Sequence, residues 1–486
     1  MDILRKIFRK KSVESLLAES KSSTGLERSI SVWQLIMIGI GAIVGAGIFV
    51  LTGKAACFHA GPAVVLSFLV GGIACICAAF CYAELASTIP LSGSAYTYMY
   101  AAFGEFPAYI TAGLLIMGNF LSVAVVAIGW SGYFTSLLSD FGIHIPAIFT
   151  NPTGTQIYDE LSGNYVTSII NLPTLCICLL VTFILYSGLK SFKLINLLSV
   201  VSKTFVLLLF IIIGFYFVDI QNLSPFIPQN TGNFGEFGIS GIIAGASMIF
   251  LAYNGFDNIA SAAQEAKNPQ RSLPIAIICS ILISAVIYGL VSFVLVGIAP
   301  YKELGVAEPI AVAVDKMGMK WFATLIKFGS LAGLMSVILV MSYGIIRVIY
   351  SMSIDGLFPK ALSRIHEKNK VPHIATLFVG IVVSITASTA QLTQMVRLGN
   401  LGILLTFIIV CFATIFLRYS RPDLDRKFKC PFMPFLPLFG ICVMFWLVYS
   451  MPSIIYLYAL IWLLCYSAIY FTYGLFHSKL GSKQIH

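Results

Sequence analysis

Long apolar runs limit what this chain can fold into. "LLLFIIIGFYFV" (Leu207 to Val218) carries no charge, and runs of this kind recur along the chain. A membrane's hydrocarbon core, about 30 Å thick, takes roughly 20 apolar residues per helical span. Reading between the polar breaks gives twelve such segments, starting near Ser31, Pro62, Phe106, Asn171, Leu194, Gly238, Leu273, Trp321, His373, Met395, Met433 and Ser453. They occupy more than half the chain and leave no room for a sizeable soluble domain. The composition agrees, at 58% hydrophobic and 10% charged residues over 486 positions, with a mean hydropathy of +0.93. A transmembrane β-barrel would show segments of about 10 residues alternating apolar and polar. The runs here are continuous, so an all-α integral membrane fold is expected, with any chemistry in the bilayer or at its surface.

Lysine and arginine accumulate on the cytoplasmic side of membrane proteins. With an inward N-terminus, the cytoplasmic segments and adjoining helix ends hold 23 of the 30 Lys and Arg. Lys54, Lys302, Lys316 and Lys320 fall outside, while Lys203, Lys327 and Arg397 lie in or near spans. Both termini are therefore expected in the cytoplasm, in a plasma membrane or the inner membrane of a bacterium. The net charge of +10 reads as topology and contact with anionic lipid heads, with no nucleic acid as partner. The first thirty residues are too long and charged for a secretory leader, and no small-residue cleavage site follows the first apolar run. "ILRKIFRKKSVESLL" suits a helix on the cytoplasmic surface or a disordered basic tail. The loop from Ser139 to Ile170 lies outside and suggests no folded domain. The eleven cysteines offer neither a disulfide framework nor metal-ligand spacing, so no cofactor or metal is expected.

Two spans share an oddity. The first carries "GAIVGAGIF" (Gly41 to Phe49), and the sixth carries "AYNGFDN" (Ala252 to Asn258) at mid-depth. Gly41 and Gly45 form a GxxxG packing pair, but Gly47 cannot share their face. Three close glycines favour local unwinding, because glycine tolerates leaving helical dihedrals. Unwound backbone in a bilayer persists only where protein or a water-filled cavity satisfies it. The half-helix resuming near Ile48 would aim free N–H groups at a carboxylate. The half-helix ending near Ile43 would aim bare carbonyls at an ammonium group. A free α-amino acid carries both charges. Interrupted helices at corresponding positions mark inverted-repeat transporters, and an offset of five spans implies two five-helix repeats. The expected division is a basic tail (1–30), a first repeat (31–218), an outer loop (219–237), an inverted second repeat (238–417), a basic loop (418–432), two extra helices (433–476) and a tail (477–486).

"IGAIVGAGIFVLTG", "CYAELASTIPLSGSAYTYMYAAFGE", "AIGWSGY", "AYNGFDNIASAAQEAKNPQRSLPIAI" and "GLMSVILVMSYGIIRVIYSMSIDGLFP", in this order, resemble the cationic amino acid transporter family of the amino acid, polyamine and organocation superfamily. The resemblance implies a secondary amino acid transporter with five-plus-five inverted repeats. Carried onto matching positions, the backbone of Val44, Gly45, Ala46 and Gly47 would hold the substrate carboxylate, and the Ile43 carbonyl its amino group. Phe250, Leu251, Ala252, Asn254 and Gly255 would line the same pocket. A small membrane subunit is a further partner such a carrier could take.

"LSVVSKTFVLLLF" places Lys203 about ten residues into span five, roughly 15 Å deep. A lysine there is costly unless it snorkels, pairs, reaches a cavity or gives up its proton. In similar family members a lysine on span five stands where sodium-coupled relatives hold sodium. Lys203 is accordingly the expected proton-coupling residue, bridging span one carbonyls and span eight. Glu84, Glu105, Glu265 and Arg271 read as solvated helix ends or structural hydrogen bonds ahead of gating ion pairs, and Asp257 as a cap of the second half-helix.

The chain departs from the family pattern where substrate is chosen. The span-three glutamate of cationic-specific members aligns with Gly118, followed by Asn119; the pocket aromatic aligns with Leu251, beside Phe250; and Asn254 replaces an apolar residue. Loss of a buried carboxylate weakens cation selectivity by several kcal/mol, so a neutral amino acid is expected. Proton-coupled uptake by alternating access is the leading reading. An exchanger of amino acids or amines, with Lys203 structural, and a receptor that has lost transport remain open. The six scattered histidines form no catalytic set, so an enzyme is not expected, and a channel would need no broken helices.

Overall fold

The computed structural model describes residues 9–11, 13, 29–91, 93–159, 164–306 and 308–479. Helices dominate. In chain order they are α1 (Val32–Ile43), α2 (47–60, of mixed π and α turns), α3 (Val64–Thr88), α4 (Ala95–Ala102), α5 (Glu105–Asp140), α6 (Leu172–Tyr186), α7 (Leu189–Gly214), α8 (Gly238–Ile249) and α9 (Asp257–Ser261). There follow α10 (Pro269–Ile298), α11 (Pro309–Lys316), α12 (Lys320–Ile354), α13 (His373–Thr389), α14 (Leu392–Ser420), α15 (Phe435–Tyr449) and α16 (Ser453–Ile469). Among the described residues, eight helical runs are long and apolar enough to cross a membrane, and α6, α13 and α15 are shorter apolar helices.

Local chemistry explains the starts. Ser31 and Gln34 form a reciprocal capping box on α1, with the Ser31 N–H donating to Gln34 Oε1 at 2.9 Å. Asn171 caps α6 by accepting from the Thr174 N–H at 3.0 Å. Pro269 and Pro309 open α10 and α11, where a missing N–H costs nothing. The longest run, Val32–Thr88, is interrupted at Gly61, whose φ of +59° reverses the chain ahead of Pro62.

Around the two interrupted helices, α10 packs on α1 and α3, α12 on α5 and α7, and α14 on α5. Both described ends of the chain meet at one face: Lys11 Nζ lies 2.5 Å from Asp355 Oδ1, and the Lys479 N–H donates to the Asp355 carbonyl at 3.1 Å. This is the terminal face; the opposite one is the far face.

Several expectations are corrected. The fold is nearly rather than wholly helical, because Gln156–Asp159 (β1) and Asn164–Thr167 (β2) of the 139–170 loop pair antiparallel, though they make no separate domain. The short α4 was not foreseen. α7 begins at Leu189, five residues before the expected Leu194, so Lys203 lies fourteen residues along it, about 21 Å, rather than about 15 Å. α14 ends at Ser420, three residues past the expected boundary at 417. Most of the basic N-terminal stretch lies outside the described residues.

Candidate substrate site

α1 stops where the glycines cluster. Its last turn closes with the Val44 N–H donating to the Ile40 carbonyl at 3.0 Å, and Val44 itself is extended (φ −75°, ψ 97°). Helical bonding resumes when the Ile48 and Phe49 N–H groups both donate to the Gly45 carbonyl at 3.1 Å. Between the two, the N–H groups of Gly45, Ala46 and Gly47 have no hydrogen-bond partner among the described residues. Such orphan donors at a helix start are a ready anion site.

The second break faces the first. α8 gives way to a 3₁₀ turn (Phe250–Tyr253), Asn254 is extended, and Gly255 takes φ +126°, a conformation that glycine supplies at least cost. A Cβ on Gly47 would fall 2.0 Å from Ala252 Cβ and 2.3 Å from Ala252 Cα, so the two breaks touch backbone to backbone. A Cβ on Gly255 would fall 2.5 Å from Ala42 Cβ. All the residues of 43–51 and 250–255 are buried. Tyr288 of α10 joins the two breaks, its hydroxyl lying 2.7 Å from both the Ile43 and Ala252 carbonyls and donating to one at a time.

Lys203 sits against the same break. Its Nζ donates to the Gly41 carbonyl at 2.9 Å, the Val44 carbonyl at 2.6 Å and Ser336 Oγ of α12 at 2.8 Å, and the side chain is wholly buried. The ammonium thus ties the broken end of α1 to α12. A second buried polar group connects α5 to the other break: Asn254 Nδ2 donates to Asn119 Oδ1 at 2.9 Å and Ser122 Oγ at 3.2 Å, and Asn119 Nδ2 donates to Asp257 Oδ2 at 3.4 Å.

The structure brings Ile43, Val44, Gly45, Ala46, Gly47, Leu251, Ala252 and Gly255 together, and places Asn119 and Asn254 in the adjoining network. Phe250 packs edge-on against Phe407 of α14. Gly118 does not face the breaks: a Cβ there would lie 2.7 Å from Ile403 Cγ1 and 3.1 Å from Ile403 N, so the position is a close helix contact with α14. The Ile43 carbonyl is not bare, since Tyr288 reaches it. Asp257 is the first residue of α9 rather than its cap, which is Phe256. Sequence reasoning missed Tyr288 and Ser336. The available signal was a hydroxyl inside an apolar span, which needs a partner there.

Of the charged helix ends, Glu84 and Glu265 are ion-paired and correct the expectation, whereas Glu105 and Arg271 agree with it. Glu84 is buried and pairs with Arg418 and, at 3.1 Å, with Arg426. Glu265 pairs with Arg347, both nearly inaccessible, and accepts from the Tyr343 hydroxyl at 2.6 Å. Arg271 is exposed. Glu105 is held by hydrogen bonds from Tyr100, Tyr470 and Ser478. The buried ion pairs of Glu84 and Glu265 tie together helix ends far apart in sequence. Toward the far face a cavity of about 560 Å³ descends to Leu51 and Met248, just past the breaks. Outside that cavity's lining, burial pushes the Glu308 carboxyl up, against the pull of Lys327.

The sequence profile of the family described as Amino acid permease matches residues 30–473. The chain is 40% identical to the branched-chain amino acid permease BcaP of Bacillus subtilis, over 98% of this chain and 99% of that one. It is 38% identical to the methylthioribose transporter of the same organism, over 98% and 99% of the two chains. Human cationic amino acid transporter 4 is 34% identical over 83% of this chain and 62% of its own. With its buried, doubly interrupted helical core, the chain belongs to the amino acid permease family and is a multi-pass membrane transporter, not an enzyme.

Proposed function

We propose that this protein carries a neutral α-amino acid across the plasma membrane by alternating access, driven by a co-transported proton. The observation that carries the reading is the pairing of unbonded N–H groups at Gly45, Ala46 and Gly47 with the carbonyl end of α1 and the Ala252 turn across from it. Those groups suit the carboxylate and ammonium of one zwitterion. The apolar surroundings, which include Val337 against Gly45 and Phe407 beside Phe250, favour an apolar side chain. No acidic residue stands at Gly118, and a relative is named for branched-chain substrates. Dividing the run Val32–Thr88 at Gly61 and adding the three shorter apolar helices gives twelve spans. An even number agrees with chain ends that meet at one face, the cytoplasmic one in this reading. Spans one to five and six to ten then form the inverted repeats, with substrate bound between the broken first and sixth.

Lys203 is the coupling group in this reading. Protonated, it holds α1 to α12; deprotonated, it releases the Val44 carbonyl and loosens the terminal face. The relative named for methylthioribose supplies a second reading, a thiosugar carrier, for which the paired charge sites would be idle. Uptake into proteoliposomes separates them. Labelled leucine should accumulate with an inward proton gradient and collapse without it, and excess methylthioribose should not compete. Uptake seen only with amino acid preloaded inside, whatever the gradient, would make the protein an exchanger.

A further inference from the structure

Two cations line the far-face cavity, and no acidic residue stands among its described lining residues. Lys54 of α2 and Arg397 of α14 both line it, and neither makes an ion pair or hydrogen bond among the described residues. Both are half-buried. The third basic group, His59, is committed through Nδ1 to the Gly235 carbonyl at 2.8 Å. The remaining wall is largely apolar, including Leu51, Met248 and Val396. Half-buried cations are costly in such a setting unless an anion or water meets them. An anion that enters the cavity meets both cations on its wall.

The position of the cavity suggests what that anion is. Its floor is Leu51, one helical turn beyond Gly47, and Met248, two residues before Phe250. A molecule leaving this cavity toward the protein's centre meets the unbonded N–H groups of the first break. We propose that Lys54 and Arg397 form a capture site for the carboxylate of an apolar α-amino acid, whose side chain lies against Leu51, Met248 and Val396 before the carboxylate passes to Gly45, Ala46 and Gly47. This inference rests on the amino acid reading above. The same cations could take a lipid phosphate, and the test separates the two sources.

The probe is labelled leucine, with the protein in vesicles of neutral phosphatidylcholine and orientation sorted, so that substrate meets one face at a time. Arg397→Gln and Lys54→Gln should each raise the far-face KM about tenfold, the loss of one charge-assisted contact, with the terminal-face KM unchanged and the terminal-face maximal rate falling by the same factor, as the fixed equilibrium across a carrier requires. Arg397→Lys should recover most of the affinity. Unchanged far-face KM values would overturn the capture site, as would equal shifts from both faces, which a merely structural role predicts. If phosphatidylglycerol in the vesicles raises the wild-type far-face KM and Arg397→Gln abolishes that dependence, the cavity is a lipid site and the assignment fails. Absence of transport of any amino acid by the wild type would instead defeat the underlying reading, and the capture site with it.

Discussion

Replacing Lys203 with methionine isolates the coupling claim. The substitution keeps the apolar stem and removes three donated hydrogen bonds, to the Gly41 and Val44 carbonyls and Ser336 Oγ. The single Ser336 hydroxyl proton lies within reach of the Gly41 carbonyl at 3.1 Å and of the Gly333 carbonyl, inside α12, at 2.7 Å; turned to Gly41, it leaves only the Val44 carbonyl stranded. One buried unsatisfied acceptor costs about 1–3 kcal/mol. Against this stands relief from a buried ammonium with no acidic partner, a burden of several kcal/mol. The two roughly cancel, so Lys203→Met should fold and melt within a few degrees of the wild type. What it loses is a titrating tie between α1 and α12. One proton per substrate across one pH unit is worth about 1.4 kcal/mol, which supports about tenfold accumulation. In proteoliposomes under that gradient the wild type should reach this ratio, whereas Lys203→Met should equilibrate leucine without concentrating it. Lys203→Arg should behave likewise, because a guanidinium keeps its proton. Full gradient-driven accumulation by Lys203→Met would refute the reasoning and place the proton elsewhere.

Other perturbations test the packing and the buried ion pairs. Gly47→Ala should abolish leucine binding while Ala252→Gly fails to rescue it, since the added Cβ still lies 2.3 Å from Ala252 Cα; binding by isothermal titration decides this. Gly118→Ala should destabilise by about 1–3 kcal/mol through overpacking against Ile403, and Gly118→Glu should lower the thermal midpoint further without creating arginine uptake. Glu265→Gln leaves Arg347 buried beside a neutral amide, at a cost of about 3–5 kcal/mol, and should increase labelling of a cysteine introduced at Ala262 from the terminal face. The raised carboxyl of Glu308 binds its proton more tightly folded than unfolded. Its contribution to stability is therefore greatest in acid and fades as pH rises through the raised folded value, and Glu308→Gln should remove that slope from melting curves taken across pH.

The residues that could be read directly are those whose meaning is local. Gly41, Gly45 and Gly47 crowd two turns, and the helix does part between Ile43 and Gly47. "AYNGFDN" interrupts an apolar run, and the chain there passes through a 3₁₀ turn and a positive φ. Lys203 was conspicuous because a charge in an apolar helix needs a reason. The features that escaped depend on which helices become neighbours. Glu84 and Arg418 are 334 residues apart in sequence, and each alone resembles a solvated helix end. Tyr288, in "SAVIYGLV", resembles any lipid-facing aromatic until α10 is laid across both breaks. Gly118 aligns with a pocket position, yet the close approach of α14 turns that face into a packing seam. The hairpin of 156–167 is short, and its alternation is too brief to stand out among loop residues.

The claim that two broken helices hold both charges of a zwitterion is tested most directly by displacement at equilibrium. Labelled leucine bound to the purified protein should be displaced by isoleucine. Leucinamide, which lacks the carboxylate, and 4-methylpentanoate, which lacks the ammonium group, should each bind at least ~100-fold more weakly, because each strands a polar partner in the site. Displacement by either analogue as readily as by isoleucine, or by methylthioribose in their place, would contradict the account.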